Sequence, residues 1–134
     1  MNTKIIVRIM FFLALTAAVA CSKRQTISPI PKTNRTVRFE FYTDQDFSND
    51  QNTITVSLFI KSGNKVYFDS ALAPMKVSAI PDAVNKIIVE KQIQDDNNIL
   101  AAGFTYYIDN VGYSWHLDSI AAGVSSSTVT YPFR

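Results

Sequence analysis

From Thr36 onward, apolar and polar residues alternate along the chain with a period of two. Val37, Phe39 and Phe41 alternate with Arg38, Glu40 and Tyr42, and Ile54, Val56, Leu58 and Ile60 alternate with Thr53, Thr55, Ser57 and Phe59. Successive side chains of an extended strand point to opposite faces, so each run predicts a strand with one buried face. The turn Ser62-Gly63-Asn64 leads into Val66, Tyr67 and Phe68, the pattern of a hairpin. A short extended piece around Met75 and Val77, bounded by Pro74 and Pro81, suits an edge strand or a crossover. Four further runs follow at 86–93, 100–109, 113–117 and 128–133. The last contains Pro132, which has no N–H to give to a ladder and so places that end at a sheet edge. Only 81–85 and 119–124 have room for a helical turn.

Seven or eight short strands with Asp-, Asn- and Gly-rich turns between them predict an all-β fold, an antiparallel β-sandwich. In pattern the chain resembles immunoglobulin-like or transthyretin-like sandwiches, although the paired cysteines of the former are missing. A small lipocalin-like barrel is the competing architecture. With nine Phe, six Tyr and one Trp, the core is expected to be aromatic. Trp115 is the expected central plug, with Phe39, Phe41, Leu58, Phe68 and Phe104 around it. Phe59, Tyr67 and Tyr107 fall on the opposite parity, where they form either a partner-binding patch or the covered second face of a central strand.

The N-terminal segment breaks the alternation. Met1 to Arg8 carries two cations and no carboxylate, and Ile9 to Ala20 is an uncharged run, apolar but for Thr16. This charged-then-apolar order is that of an export signal. A dozen helical residues reach roughly 18 Å, short of the ~30 Å hydrocarbon core that a permanent span must cross. The run ends in Ala18-Val19-Ala20-Cys21. Here the stretch resembles the lipobox of bacterial lipoproteins, with Ala18 at the position where leucine is commonest. The resemblance implies cleavage before Cys21, a diacylglyceryl group on its thiol and acylation of the new amine by a fatty acid such as palmitate. Ser22 resembles the residue that permits sorting to the outer membrane. Lys23 and Arg24 lack the acidic character associated with export to the cell surface, so the periplasmic face is the expected location. The chain is therefore expected to comprise a signal peptide over 1–20, a lipidated N-terminus and flexible tether over 21–35 containing Pro29 and Pro31, and a sandwich domain over 36–134. Cys21 is the only cysteine, so the domain has no disulfide and relies on its core.

Charge then narrows the partners. Of the 13 Lys and Arg that oppose 11 Asp and Glu, Lys4 and Arg8 belong to the leader, and the remainder is neutral. No cluster of cations interleaved with aromatics is present, so nucleic acid is not an expected partner. The expected partners are a membrane, through the lipid anchor, and a protein of the envelope.

Two constellations offer chemistry. Ser114, His116 and Asp118 alternate with Tyr113, Trp115 and Leu117, which puts three polar groups on one strand face. Read as a hydrolytic triad they are poorly placed. Positions i and i+2 point in parallel from sites ~6.6 Å apart, whereas a nucleophile and its base must come within about 3 Å from converging elements. A solvated strand face is the expectation, and no catalytic residue is assigned. The loop 43–50 offers Asp44, Asp46 and Asp50 at spacings that a hard cation uses. It fails as an EF-hand, with Asn49 where glycine is needed and Thr55 where a bidentate glutamate is needed. In an immunoglobulin-like sandwich this loop would share a pole with Asp95 and Asp96, making a composite calcium site conceivable, although Asp and Asn are also ordinary turn residues. No cofactor is expected. The leading expectation is a membrane-anchored, non-catalytic binding or structural module. The alternatives are a small-ligand or lipid carrier with a barrel cavity and a calcium-dependent adhesion module.

Overall fold

Strands form where the alternation predicts them, and their register decides which parity is buried. The computed structural model describes residues 33–134; Cys21, the leader and nearly all of the expected tether lie outside these residues. The elements are β1 (Asn34–Thr43), β2 (Thr53–Ser62), β3 (Lys65–Ala71), β4 (Met75–Lys76), a single 3-10 turn (Val77–Ala79), β5 (Ile87–Gln94), β6 (Leu100–Ile108), β7 (Gly112–Ile120) and β8 (Ser126–Phe133). They build two sheets. Sheet A has the order β5-β1-β8, and sheet B has the order β3-β2-β6-β7, with β4 also pairing β2. The sheets face each other as a β-sandwich and do not close into the barrel that a cavity-type carrier would need.

Among the described residues all ladders are antiparallel except one. β1 and β8 run parallel, in register from Thr36↔Ser126 to Thr43↔Phe133. A purely antiparallel sandwich was the expectation, and this pairing departs from it because β8 reaches sheet A by crossing over from β7 in sheet B. β8 is an edge strand, as Pro132 requires.

The core lies between the sheets. Val37, Phe39 and Phe41 of β1 meet Ile54, Val56, Leu58 and Ile60 of β2, Leu100 and Phe104 of β6, and Val129 and Phe133 of β8, all buried. Phe104 packs edge-on against Phe39 with centroids 5.5 Å apart, a favourable arrangement of ring quadrupoles. Phe68 is half-buried at the margin of this cluster. Trp115 is no part of it: the indole is 69% exposed.

β1 begins two residues earlier than the alternation indicated, and Arg35, expected in the tether, is 1% exposed. Its guanidinium donates to three main-chain carbonyls, from Nε to Val124 (2.9 Å), from Nη1 to Asn98 (2.7 Å) and from Nη2 to Ala121 (2.6 Å). The Asp95 carboxylate stands 3.8 Å from Nη1. Two loops, β5–β6 and β7–β8, are thereby fastened to the start of β1. The planar fork with five donors makes this geometry available to arginine alone.

Candidate functional site

The two outer faces of the sandwich differ. On sheet A the charges are matched: Arg38 bridges Glu40 and Glu90, each at 2.8 Å, and Lys86 reaches Glu40 at 2.6 Å. The Lys86 ammonium, with Arg38 second, holds the Glu40 carboxyl below its ordinary range. Apart from Ile88 and Pro132, this face carries amide, hydroxyl-bearing and charged side chains, an ordinary solvated surface.

Sheet B is different. The inward parity of β6 is fixed by Leu100 and Phe104 in the core, and its register pairs Phe104 with His116 and Thr105 with Trp115. β7 therefore turns Ser114, His116 and Asp118 to the side that faces sheet A, where Ser114 stays exposed and His116 and Asp118 are half-buried, and puts Tyr113, Trp115 and Leu117 on the outer face. This reverses the expected orientation. The alternation of β7 holds, but its more apolar parity, expected in the core, faces out. β7 is an edge strand of the wider sheet, opposite a sheet A of only three strands, so its inner side has less apolar surface to meet.

On the outer face, a groove of about 550 Å³ is lined by Phe59 and Lys61 of β2, Val66 and Asp69 of β3, Thr105 of β6, and Trp115 and Leu117 of β7. β2 and β6 supply the floor, and β3 and β7 supply the rims. A hollow of about 260 Å³ continues it past Thr105, lined by Thr55, Ser57, Tyr107 and Tyr113 among others. Tyr107 and Tyr113 pack together with centroids 4.6 Å apart. The Lys61 ammonium lies 5.3 Å from the Phe59 ring centroid, within cation–π range. Among the described residues neither Lys61 nor Asp69 enters an ion pair.

β7 reaches this position because Gly103 lies beneath it. A Cβ on Gly103 would overlap the His116 carbonyl oxygen and sit 3.0 Å from the Leu117 Cα. The missing side chain lets the β7 backbone, and with it Trp115 and Leu117, close on β6. Phe59 and Tyr107 occupy the outer face, as the patch reading expected. Tyr67 does not. A β-bulge at Ile60/Lys61 leaves it without a partner on β2, and its hydroxyl donates to Asp96 on the β5–β6 loop. Asp69 and Thr105 were not singled out in the sequence, since a lone Asp or Thr on a strand carries no signal until the register is known.

The interior side of β7 assembles no relay. His116 Nε2 lies 3.4 Å from Asp118 Oδ1, and among the described residues this buried nitrogen has no hydrogen-bond partner, Ser114 included. The imidazole lies against the Tyr131 ring, with centroids 5.2 Å apart, and the Tyr131 hydroxyl donates to that of Tyr106 at 2.9 Å. Burial, then the Tyr106 contact, raises the Tyr131 phenol well above its ordinary pKa.

The acidic loops do not share a pole. Asn34 pairs with Gln94, so Asp95 and Asp96 lie at the start of β1, while Asp44, Asp46 and Asp50 follow its end, roughly 30 Å away along ten residues of strand. The composite calcium site is therefore not assembled. Asp44 pairs with Arg134 at 3.1 Å, Asp46 and Asp50 accept the Ser48 and Asn52 amides, and Asp95 accepts the Asn97 amide. Asp96 binds Lys65 at 2.9 Å and Tyr67. Among the described residues no three His, Cys, Asp or Glu come together as ligands.

The described domain is thus a two-sheet β-sandwich with one charge-matched face and one aromatic, grooved face. Comparison of the chain with protein-family models, with curated proteins and with solved structures finds no match.

Proposed function

We propose that this chain is a lipoprotein of the bacterial cell envelope, anchored through Cys21 at the periplasmic face of the outer membrane, and that its sandwich is a non-catalytic binding module. The anchor is supported by the leader, with its two cations, apolar run and Ala18-Val19-Ala20-Cys21 junction. The binding role is carried by one observation, the contrast between the two outer faces. A solvated sheet face is normally polar, yet sheet B exposes Trp115, Tyr113 and Leu117 beside Lys61 and Asp69, which enter no ion pair among the described residues. Contiguous apolar surface of this kind marks an interaction site.

The test is a photo-reactive residue placed in intact envelopes at Thr105, inside the groove, and separately at Thr128, on the outer face of sheet A. Adducts from position 105 and none from 128 are the expected outcome. Equal labelling from both, or none from 105, removes the binding face from the account.

A further inference from the structure

Resting on that reading, we infer that the outer face of sheet B binds a neutral, hydroxyl-rich polymer, a glycan chain, laid along the strands. Three features define the occupant. The groove combines an exposed indole and a phenyl ring with one carboxylate and one ammonium that are free of ion pairs among the described residues. These charges sum to zero, so the site draws no net attraction from a polyanion or polycation. Asp69 accepts hydroxyl hydrogens and Lys61 donates to hydroxyl oxygens. The continuing hollow is flanked by Thr55, Ser57, Thr105, Tyr107 and Tyr113, whose side chains all end in hydroxyls. From Lys61 to Thr55 along β2 the surface runs roughly 20 Å, the length of a short oligosaccharide. Rings stack on the apolar C–H faces of sugars while hydroxyl-bearing neighbours exchange hydrogen bonds with their rims, and both kinds of group are present here.

Other occupants fit less well. The floor strands β2 and β6 are hydrogen-bonded along both edges, so a peptide lying in the groove cannot add to the sheet and would lose main-chain recognition; strand addition is left to the outer edges of β3 and β7, beyond the groove. A second copy of this chain needs about 800 Å² per partner, whereas four strands of seven to ten residues present a flat face of roughly 550 Å². An acyl chain would strip water from Asp69, Lys61 and the hydroxyls without replacing their hydrogen bonds.

The chain has a built-in reporter, because Trp115 is its only tryptophan. The full chain, solubilised from membranes in detergent, is applied to an array of neutral and acidic glycans and titrated with chitohexaose, cellohexaose and maltohexaose while its tryptophan emission is followed. We expect saturable binding of a neutral glycan. Affinity on the array should fall roughly tenfold in Trp115→Ala, the loss of one ring contact. Thr105→Val, nearly isosteric, should weaken binding several-fold with an unchanged circular dichroism spectrum, and Arg38→Ala on sheet A should bind as wild type. A blank array with flat titrations, binding of acidic glycans only, or equal binding by Trp115→Ala overturns the inference. So does a Trp115 response to phosphatidylethanolamine–phosphatidylglycerol vesicles or a Trp115-dependent dimer in place of glycan binding. If the position-105 adducts in envelopes contain protein while the array stays blank, the binding face stands and the glycan does not.

Discussion

Replacing Arg35 by methionine would remove five N–H donors from a place where three carbonyls accept them and leave a hydrocarbon of similar length. The carbonyls of Asn98, Ala121 and Val124 would lose this donor and Asp95 the guanidinium 3.8 Å away. Breaking a buried charged cluster from one side costs about 3–5 kcal/mol, and that is the expected loss in urea-induced unfolding of Arg35→Met. Arg35→Lys keeps the charge without the fork and is expected to fall between the two. The residue was partly legible in the sequence, for Arg35 shares the parity of Val37, Phe39 and Phe41. Its position at the end of a polar, proline-containing stretch led it to be read as tether, because no local rule announces a cation that is buried to serve distant loops. Trp115 failed for the opposite reason: it has the composition of a core residue, but the pairing of Phe104 with His116 gives the inner side of that strand to its neighbours.

At the scale of elements, the runs at 37–41 and 54–60 were read correctly because strict alternation admits one strand geometry. What alternation leaves open is which parity faces in on a weakly contrasted strand such as β7, and where a bulge shifts it, as at Ile60/Lys61. Gly103 controls the approach of β7. Gly103→Ala must push the His116 backbone away, and we expect a loss of about 3 kcal/mol, the upper end of overpacking costs, read as a lower thermal midpoint with altered Trp115 emission. The latch between Asp96 and the β2–β3 hairpin makes a separate prediction. The Tyr67 hydroxyl, with Lys65 second, holds the Asp96 carboxyl far below its ordinary value of 3.8, and Glu40 is likewise held below 4.5. A carboxyl whose pKa is lower folded than unfolded stabilises the fold above its unfolded pKa and loses that contribution as the pH falls toward its folded one. The urea midpoint is therefore expected to hold above about pH 5 and to decline below pH 4, with a shallower decline in Asp96→Asn.

At the scale of the whole molecule, the sandwich was legible because strand number, strand length and turn spacing all point to two stacked sheets. The aromatic face was legible only as an alternative, through Phe59 and Tyr107; its groove depends on Asp69, Thr105 and Trp115 being brought together by a register that the sequence does not print. The proposed anchor makes the remaining prediction. Cells fed an alkyne-bearing palmitate are expected to label the wild-type chain and not Cys21→Ala, which should accumulate as a longer species still beginning at Met1. Equal labelling of the two would remove the anchor.

The parallel pairing of β1 with β8 has a kinetic corollary. Each partner lies about ninety positions from the other, from Thr36↔Ser126 to Thr43↔Phe133, so one edge of β1 stays open until the most distant segment arrives. Ring closure over so long a stretch is entropically slow, and contacts of high sequence separation delay folding. Under the proposed export, a chain threading a narrow translocation pore as an open strand would gain from this arrangement, since the body could not finish assembling before β8 emerged on the far side.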